Sequence, residues 1–575
     1  MKREIKFKIL PQIFITGLIL CLVMKARLGL HSDEVHSIAV GDMIARGNSF
    51  FKECWFYLQM SAVFNSPLIF LYRKIVGNLE GVIFFFRVMT IVVQLMVGMI
   101  YYRTFCKEIS KRYILAAVVM LGVYVPDFQS FTYKQEIIWF SLLLTIFLYR
   151  YSVDNKVINL VWCGLFLAFD VLAYPTTIIL VWFVLISIWL IDGKEEKKKK
   201  ILHWGIIISV CIVCALVYLI YVFKQIGIKN FLVYFPKVYT DDNLNTNFIT
   251  KLLHPLIKWT ILGVLTMIVL AIRDRVGEGK DVWNKCKLPV ITVALLAAWG
   301  GQAYIERKCI TWHCINYPYT LAVFIIWYLY KKDKSQINRK LVQTFGIVTV
   351  GVAIAMALAS NQGNITSMYG NIMAAMTMVV MLGRIDRRVV GINTEKRLIV
   401  ISMLIMSILS GLLPVYEQES MKPEKYGERN VFTKRMYIQE GPAKGLKLGT
   451  EMYNAYIKLR KVISDNVQEN DALLIVDDNT KAALGYLCAD ANYATYSPQG
   501  GWGMATSDRM IDYYSNNPNK EPTVVIICED YVQDVEEWLE TTSLGDYVAS
   551  KFERIDIEES YYTFKKFEKE DKNGH

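Results

Sequence analysis

The sequence has few charged residues and lacks long polar linkers. Charged residues make up 20% of its 575 residues, whereas about 25% is usual for soluble globular domains. A soluble chain longer than about 250–300 residues normally divides into several domains, which polar linkers would join. Here 54% of the residues are hydrophobic, and the apolar runs are long. The composition therefore excludes an ordinary soluble protein and predicts a polytopic membrane protein.

Motifs typical of metal, disulfide or nucleotide sites are also lacking. The 11 cysteines show no CxxC or Cys/His spacing, and most lie in apolar runs, so we interpret them as small buried hydrophobic residues. Cys309 and Cys314 share a predicted outer loop and could pair, but no disulfide framework is recognisable. The glycine-rich stretch at 500–503 matches neither GxGxxG nor GxxxxGK(S/T), which favours a plain loop.

Long apolar runs are abundant. A membrane-spanning helix needs about 20 predominantly apolar residues, and we count about 13 such runs. They begin near Leu10, Gly81, Tyr113, Glu136, Val157, Thr176, Ile201, His254, Leu288, Tyr317, Leu341, Asn371 and Leu398. The first run lacks an A-x-A cleavage site, which indicates an uncleaved anchor.

The net charge of +12 is divided unevenly along the chain. Residues 416–575 contain about ten more acidic than basic residues, so residues 1–415 carry an excess of about 22 positive charges. Lysine and arginine cluster in alternate predicted loops, at 103–112, 194–200, 273–287, 331–340 and 384–397. By the positive-inside rule, the N-terminus is predicted to be cytoplasmic and the segment 416–575 to lie outside. A basic excess that alternates between loops in this way indicates a protein inserted in a membrane, and no nucleic-acid partner is expected.

The last 160 residues have a different pattern, that of a soluble domain. A helical stretch at 450–467 precedes an apolar run at 471–476, and helix-like and strand-like stretches then alternate up to about 539. Such alternation favours a parallel sheet. The end, at 549–556 and 561–567, is predicted to form an antiparallel hairpin. We therefore expect a multi-spanning α-helical membrane protein with a C-terminal extracytoplasmic α/β domain.

Polar residues gather in the predicted outer loops. Asp33 and Glu34 open the first of these, at 31–80, directly after the first span. Adjacent carboxylates at a membrane surface are unfavourable unless they are solvated or used. Further acidic and basic residues follow in later outer loops: Asp127, Glu136, Lys237, Arg307, Lys308 and His313.

This arrangement fits glycosyl transfer from a lipid-linked phosphate. The reaction needs a carboxylate base to take the proton of the acceptor hydroxyl, and cations to stabilise the leaving phosphate. The polyprenyl tail can remain in the bilayer while its phosphate lies at the interface, where these loops are. Alternatively, Asp33 and Glu34 could simply mark the boundary between the membrane and water.

The order of features resembles the GT-C glycosyltransferases that use polyprenyl-phosphate sugars, the class of the aminoarabinose transferases and protein O-mannosyltransferases. Residues 1–327 carry the resemblance. Its elements are Asp33-Glu34 after span one, Asn65-Ser66-Pro67-Leu68 in place of a Pro-Pro-Leu-type motif, Arg87 in span two, Glu136 at span four, and Arg307-Lys308 through His313 to Tyr317-Pro318. The chain departs from the pattern at three positions. It has Ser66 where the class often has proline, Asn65 where the class often has a basic residue or histidine, and Ser37 where the class often has tyrosine.

The resemblance and the chemistry together suggest roles. Asp33 is the predicted general base, with Glu34 as the alternative, because mutual repulsion can raise the pKa of one of two adjacent carboxylates. We expect Arg87 to pair with Glu136 or Asp170. Substrate contacts are expected from His36, Pro67, Arg87 and Glu136, and phosphate contacts from Lys237, Arg307, Lys308 and His313.

A divalent cation is possible. Asp127 and Glu136 could hold one with Asp33 or His36, although oxygen ligands have no diagnostic spacing.

The predicted activity is an inverting sugar transfer on the outer face of the cytoplasmic membrane. The donor would be a polyprenyl-phosphate sugar, and the acceptor a glycan, lipid or protein of the cell envelope. A transporter or flippase of a lipid-linked saccharide remains an alternative, although no internal repeat of the kind common in transporters is visible. A polysaccharide polymerase or ligase, and a membrane-anchored scaffold whose C-terminal domain binds a partner, are further alternatives.

Overall fold

The protein is mostly helical in the computed structural model, with a sheet near the C-terminus. The structure describes residues 15–124, 130–193, 196–239, 248–276, 290–305, 312–359, 364–384, 393–413, 434–499, 507–558 and 560–567. A large apolar core extends from the helical part into the hairpin and helices that follow residue 434. The change from helices to sheet, predicted at about residue 416, falls within the gap between residues 413 and 434.

The helical part begins with one apolar helix and two helices of the first predicted outer loop. The helices are α1 (Ile15–Lys25), α2 (Ser32–Ala45), α3 (Ala62–Val76), α4 (Val82–Phe105), α5 (Lys111–Val123), α6 (Tyr133–Asp154), α7 (Val157–Ala173), α8 (Leu180–Ile191), α9 (Lys197–Tyr239), α10 (Phe248–Val276), α11 (Val290–Ile305), α12 (Asn316–Lys332), α13 (Gln336–Leu341), α14 (Ile347–Ala359), α15 (Asn364–Arg384) and α16 (Asn393–Leu412). A π-helical segment, Val342–Gly346, joins α13 to α14.

A helix lies at each of the predicted spans, but not every helix has the length and hydropathy of a span. Within the described ranges, four helical segments do: Val82–Phe105, Tyr133–Asp154, Lys197–Tyr239 and Gln336–Leu358. Several others are apolar but shorter, with 10 to 17 residues. The protein therefore has apolar helices able to cross a membrane, while the count of about 13 spans and the orientation of the termini remain predictions.

The first predicted outer loop contains two helices, α2 and α3. Of the 14 residues of α2, 12 are buried, and only Asp33 and Ala45 are not. Helix α2 packs against α3, where Gly41 permits a close approach because a Cβ there would lie 2.7 Å from Ile69 and 3.1 Å from Asn65. Helix α2 is therefore a core element and not a surface loop.

Helix α9 contains a sharp change of direction. Gly227 has φ 78° and ψ 156°, a conformation available to glycine and strained for other residues. After it, the side chain of Phe231 contacts Phe51 of the first loop, with ring centroids 5.0 Å apart. The last part of α9 is therefore a separate arm that packs on the first outer loop.

The described residues of the C-terminal part form seven strands. They are β1 (Arg435–Tyr437), β2 (Lys447–Gly449), β3 (Ala472–Val476), β4 (Asn492–Tyr493), β5 (Val524–Cys528), β6 (Phe552–Glu558) and β7 (Tyr561–Lys566). The helices are α17 (Thr450–Asn466), α18 (Asn479–Cys488), α19 (Ser507–Asn516), α20 (Glu529–Val532), α21 (Val535–Thr541) and α22 (Ser543–Lys551). β1 and β2 form an antiparallel pair, and the other five strands form a sheet of order β4-β3-β5-β7-β6.

The predicted α/β pattern of this part is confirmed. β3 is parallel to both β4 and β5, and β5, β7 and β6 are joined in antiparallel pairs. β3 and β5 are almost wholly buried, which is typical of central strands covered on both faces. The expected terminal hairpin is β6–β7, with a bulge between Arg554 and Asp556.

A network of charges joins the C-terminal part to the first outer loop. The Asp42 carboxylate, on α2, is fully buried and accepts hydrogen bonds from Arg46 at 2.9 Å, from Arg73 at 2.6 and 3.1 Å, and from the Tyr493 hydroxyl at 2.9 Å. Both arginines also contact the more exposed Asp490, at 2.6 and 3.1 Å. One buried carboxylate therefore holds α2, α3 and β4 together.

We expect D42N to destabilise the protein strongly, because it leaves two arginines short of an acceptor in a largely buried setting. The loss should be about 3 kcal/mol, the lower end for breaking a buried ion pair, since both arginines retain Asp490. D490N is the matched control and should cost about 1 kcal/mol or less, because that carboxylate is exposed. Thermal unfolding of the detergent-solubilised protein and protease susceptibility of residues 450–567 would measure both. Equal losses would show that Asp42 is not the centre of the interface.

Candidate functional site

The N-terminus of α2 gives its two carboxylates different surroundings. His31 caps the helix, and its Nδ1 accepts a hydrogen bond from the Asp33 backbone N–H at 3.3 Å. Successive helical residues point about 100° apart, so Asp33 and Glu34 face different neighbours. The Asp33 side chain is 29% exposed, whereas that of Glu34 is 1% exposed. The carboxylates, adjacent in sequence, are therefore not equivalent.

Glu34 forms a buried ion pair with Arg87 of α4. The Arg87 Nε and one terminal nitrogen each donate to a Glu34 oxygen at 2.6 Å. The other three N–H groups of the guanidinium donate to backbone carbonyls between α1 and α2, those of Ala26, Leu28 and Gly29, at 2.9 to 3.1 Å. All five donors of the arginine are thus used, and the pair fixes the start of α2 against α4.

This pair corrects the expectation for Arg87. The sequence predicts Glu136 or Asp170 as its partner, because all three residues lie near the predicted outer ends of spans. Helix packing instead brings Arg87 to Glu34, and Asp170 accepts hydrogen bonds at 3.0 Å from Ser141. Because the Arg87 and Glu34 side chains are paired with each other, neither is well placed to contact substrate in this arrangement.

Asp33 pairs with a lysine that is not among the predicted site residues. The Lys134 Nζ lies 2.6 Å from Asp33 Oδ2, and the Lys134 side chain is 10% exposed. Lys134 lies in the first turn of α6, 101 positions away from Asp33. The available signal was a basic residue at the predicted outer end of a span, where the positive-inside rule does not favour one.

Three tyrosines surround this ion pair. The rings of Tyr133 and Tyr174 have centroids 5.4 Å apart, and the Tyr174 hydroxyl is hydrogen-bonded to that of Tyr57. The Tyr133 hydroxyl interacts electrostatically with Lys134 and Asp33. Phenolic hydroxyl groups both donate and accept hydrogen bonds, so this cluster suits a ligand that carries hydroxyl groups.

His36 and Glu136 are buried but are not joined to the Asp33 pair by a hydrogen bond in the described part of the chain. The His36 ring packs edge-on against Phe56 at 4.3 Å, and burial lowers the pKa of His36 to about 4, although Asp33 opposes the shift. His36 is therefore a neutral ring at pH 7. Neither carboxylate oxygen of Glu136 has a hydrogen-bond partner among the described residues, so its predicted role stays open.

Lys237 lies between the two parts of the protein. Its Nζ contacts the Asp512 carboxylate at 2.5 and 2.8 Å and lies 5.2 Å from the centre of the Trp55 ring. Its backbone carbonyl accepts a hydrogen bond from Arg509 at 2.9 Å. Lys237 therefore links the last part of α9 to α19, and its expected phosphate contact remains a prediction.

The remaining predicted site residues are less informative. Pro67 is exposed in the second turn of α3. Arg307, Lys308 and Asp127 lie outside the described residues, as does Cys309, while His313 is described only as part of the 3₁₀ segment Trp312–Ile315. Their proposed substrate contacts therefore remain predictions.

The predicted divalent-cation site is not assembled within the described ranges. Among those residues, no three potential ligands of the His, Cys, Asp or Glu types lie close enough to hold a metal ion. Asp33 is bound to Lys134, and an ammonium group competes with a cation for the same carboxylate. The third predicted ligand, Asp127, lies outside the described ranges, so the site stays a prediction.

A cavity of about 680 Å³ lies between α10, α12, α14 and α15. Most residues that line it are apolar, among them Met267, Phe324, Trp327 and Val350. Its one amide side chain, Asn371, donates a hydrogen bond to Thr320 at 2.7 Å. An apolar cavity of this volume is large enough for a small hydrophobic ligand or part of a lipid chain.

Comparisons with known proteins agree with the resemblance seen in the sequence. No protein-family model matches the chain, and neither does any curated protein sequence. The crystal structure of ArnT from Cupriavidus metallidurans bound to undecaprenyl phosphate matches over 96% of this chain and 97% of that chain, with 11% identity and a TM-score of 0.51. The fold is therefore similar to that of ArnT.

A second ArnT structure, in the apo state, covers 98% of both chains at 11% identity with a TM-score of 0.41. The GT-C resemblance stated for the sequence is confirmed at the level of the fold. At such low identity the match does not carry residue roles from ArnT to this chain, so roles must be argued from the geometry described above.

The two adjacent carboxylates should respond differently to mutation. E34Q leaves the buried Arg87 without a charged partner and should lower the free energy of unfolding by about 3–5 kcal/mol. D33N should cost about 1 kcal/mol, because the residue is partly exposed and an amide oxygen can still accept from Lys134. Unfolding midpoints of the two purified variants test this. A larger loss for D33N than for E34Q would contradict the assignment of Glu34 as the structural carboxylate.

Proposed function

We propose that the protein is a membrane glycosyltransferase that uses a polyprenyl-phosphate sugar as donor. The observation that carries the proposal is the exposure of Asp33: α2 is almost completely buried, and the residue at its start that stays accessible is a carboxylate. The fold shared with ArnT supports this choice of reaction class. The transferred sugar goes to a hydroxyl group of a cell-envelope glycan, lipid or protein on the outer face of the membrane.

In the proposed reaction, Asp33 is the general base. The acceptor oxygen forms a bond to the anomeric carbon of the sugar while the bond from that carbon to the phosphate oxygen breaks. The hydroxyl proton passes to Asp33, and polyprenyl phosphate leaves with the bonding electrons. A single displacement of this kind inverts the anomeric configuration. Positioned carboxylate bases typically contribute about 10²–10⁴-fold to the rate.

The position of Asp33 supports this role. The first turn of a helix favours negative charge, and Glu34 and Asp42 anchor the same helix at both ends. The base is therefore held on a rigid element, and small displacements of reacting groups reduce rates strongly. Tyr57, Tyr133 and Tyr174 lie beside it and offer hydroxyl groups to a sugar.

Other features support a lipid-linked donor. The cavity between α10, α12, α14 and α15 is apolar and suits isoprenoid units of the lipid. In this proposal, Arg307 and Lys308 bind the donor phosphate. The protein lies in the cytoplasmic membrane with its C-terminal domain outside. That domain packs on α2 and α3 through Asp42, so it contacts the same helix that carries the proposed base.

The decisive experiment compares cell-envelope glycans by mass spectrometry in the wild type, a deletion strain and strains that express D33N or D465N. Asp465 is exposed on α17, so D465N makes the same chemical change outside the first outer loop and serves as control. We expect the deletion and D33N to lose the same sugar, because D33N removes the base, while D465N retains it at comparable expression.

Other outcomes would change the proposal. If the deletion lost a sugar and a stable D33N did not, Asp33 would not be the base. Loss of a whole repeat unit or polymer would favour the polymerase or ligase alternative. Accumulation of a complete lipid-linked saccharide inside the cell would favour the flippase alternative.

A further inference from the structure

We propose that Lys134 is shared between Asp33 and the donor phosphate, so that the base is released when the lipid phosphate binds. This inference rests on the proposed function and adds a positioning residue to it. The observation behind it is the contact of 2.6 Å between Lys134 Nζ and Asp33 Oδ2, which joins the carboxylate proposed as base to a cation that neither the sequence pattern nor the resemblance assigned to the site.

Lys134 occupies a position that calls for an anion. It lies in the first turn of α6, where the helix macrodipole is positive and disfavours a cation. Its side chain is 10% exposed, so little water compensates for the charge. A lysine in such a place is stable when a negative group faces it, and Asp33 supplies that group in the present arrangement.

The same contact weakens Asp33 as a base. A cation at hydrogen-bond distance stabilises the ionised carboxylate and makes it less able to accept a proton. For Asp33 to take the acceptor proton readily, the ammonium group must move away or exchange its partner. Lysine can do this because its charge ends a flexible four-carbon chain with three rotatable donors.

The incoming donor provides the other partner. A polyprenyl-phosphate sugar carries a negative phosphate diester, and the leaving polyprenyl phosphate gains further negative charge as the bond to the sugar breaks. Lys134 would therefore bind the phosphate more strongly as the reaction proceeds, which is the condition for catalysis by a cation. The Tyr133 hydroxyl interacts with both Lys134 and Asp33. It can form hydrogen bonds that compensate for the loss of the contact between Lys134 and Asp33.

A purely structural ion pair predicts different behaviour. In that case removing the charge of Asp33 would only loosen the contact between α2 and α6, and affinity for a lipid phosphate would stay the same or fall. If Lys134 is shared, Asp33 competes with the phosphate for Lys134, so removing the charge of Asp33 must raise the affinity for a lipid phosphate. The sign of the change therefore distinguishes the two interpretations.

The test is a double-mutant cycle on the purified full chain in nanodiscs, with radiolabelled undecaprenyl phosphate as the probe and undecaprenol as the ligand without phosphate. We expect K134M to weaken binding of undecaprenyl phosphate about 10- to 100-fold, the value of one charge-assisted hydrogen bond. D33N should tighten it about 3- to 10-fold, and the double variant D33N/K134M should resemble K134M. Undecaprenol should bind all four proteins equally.

The conservative variant K134R, which keeps the charge, should bind undecaprenyl phosphate within about fivefold of wild type. If K134M did not fold, D33N and K134R would still decide the question. Unchanged or weaker binding by a folded D33N would overturn the sharing of Lys134, as would unchanged binding by K134M, and both would leave the proposed function standing. Failure of the wild type itself to bind undecaprenyl phosphate would instead count against the proposed function.

Discussion

The buried ion pair between Glu34 and Arg87 is the contact on which the geometry of the candidate site depends. It joins the first turn of α2 to α4, and the same guanidinium also binds three backbone carbonyls of the chain that enters α2. Because consecutive helical residues differ in direction by about 100°, fixing Glu34 inward directs Asp33 to a different side. The accessible position of the proposed base is therefore a consequence of a buried pair beside it.

Helix α2 is held by buried carboxylates at both ends. Glu34 pairs with the helical part through Arg87, and Asp42, near the last turn, binds arginines of the first loop and a tyrosine of the C-terminal sheet. Buried ion pairs add little net stability relative to apolar contacts, but they impose one arrangement because a displaced charge is costly. A helix placed in this way couples the C-terminal domain to the site, although that domain contributes no side chain to the Asp33 pair in the described residues.

The sequence predicted features that depend on local patterns. The alternation of short apolar runs with helical stretches is encoded within residues 450–567, so the sheet and its terminal hairpin were predictable. The apolar helices were predictable for the same reason, and four helical segments among the described residues are long and apolar enough to be clear spans. By contrast, α2 is buried on nearly every side, so it shows no amphipathic period and cannot be recognised as a surface helix.

The partners of charged residues were not predictable, because they depend on how distant segments pack. Arg87 was matched with carboxylates at a similar predicted depth, whereas its partner lies 53 residues earlier in the chain. Lys134 is not among the predicted site residues, and only the fold brings it to Asp33. Sequence chemistry can therefore name the carboxylates of a site, but the division between the carboxylate that holds the structure and the one that is free to react arises from packing. Here that division follows from a single helical step, since Arg87 pairs with Glu34 while a different cation, Lys134, pairs with Asp33.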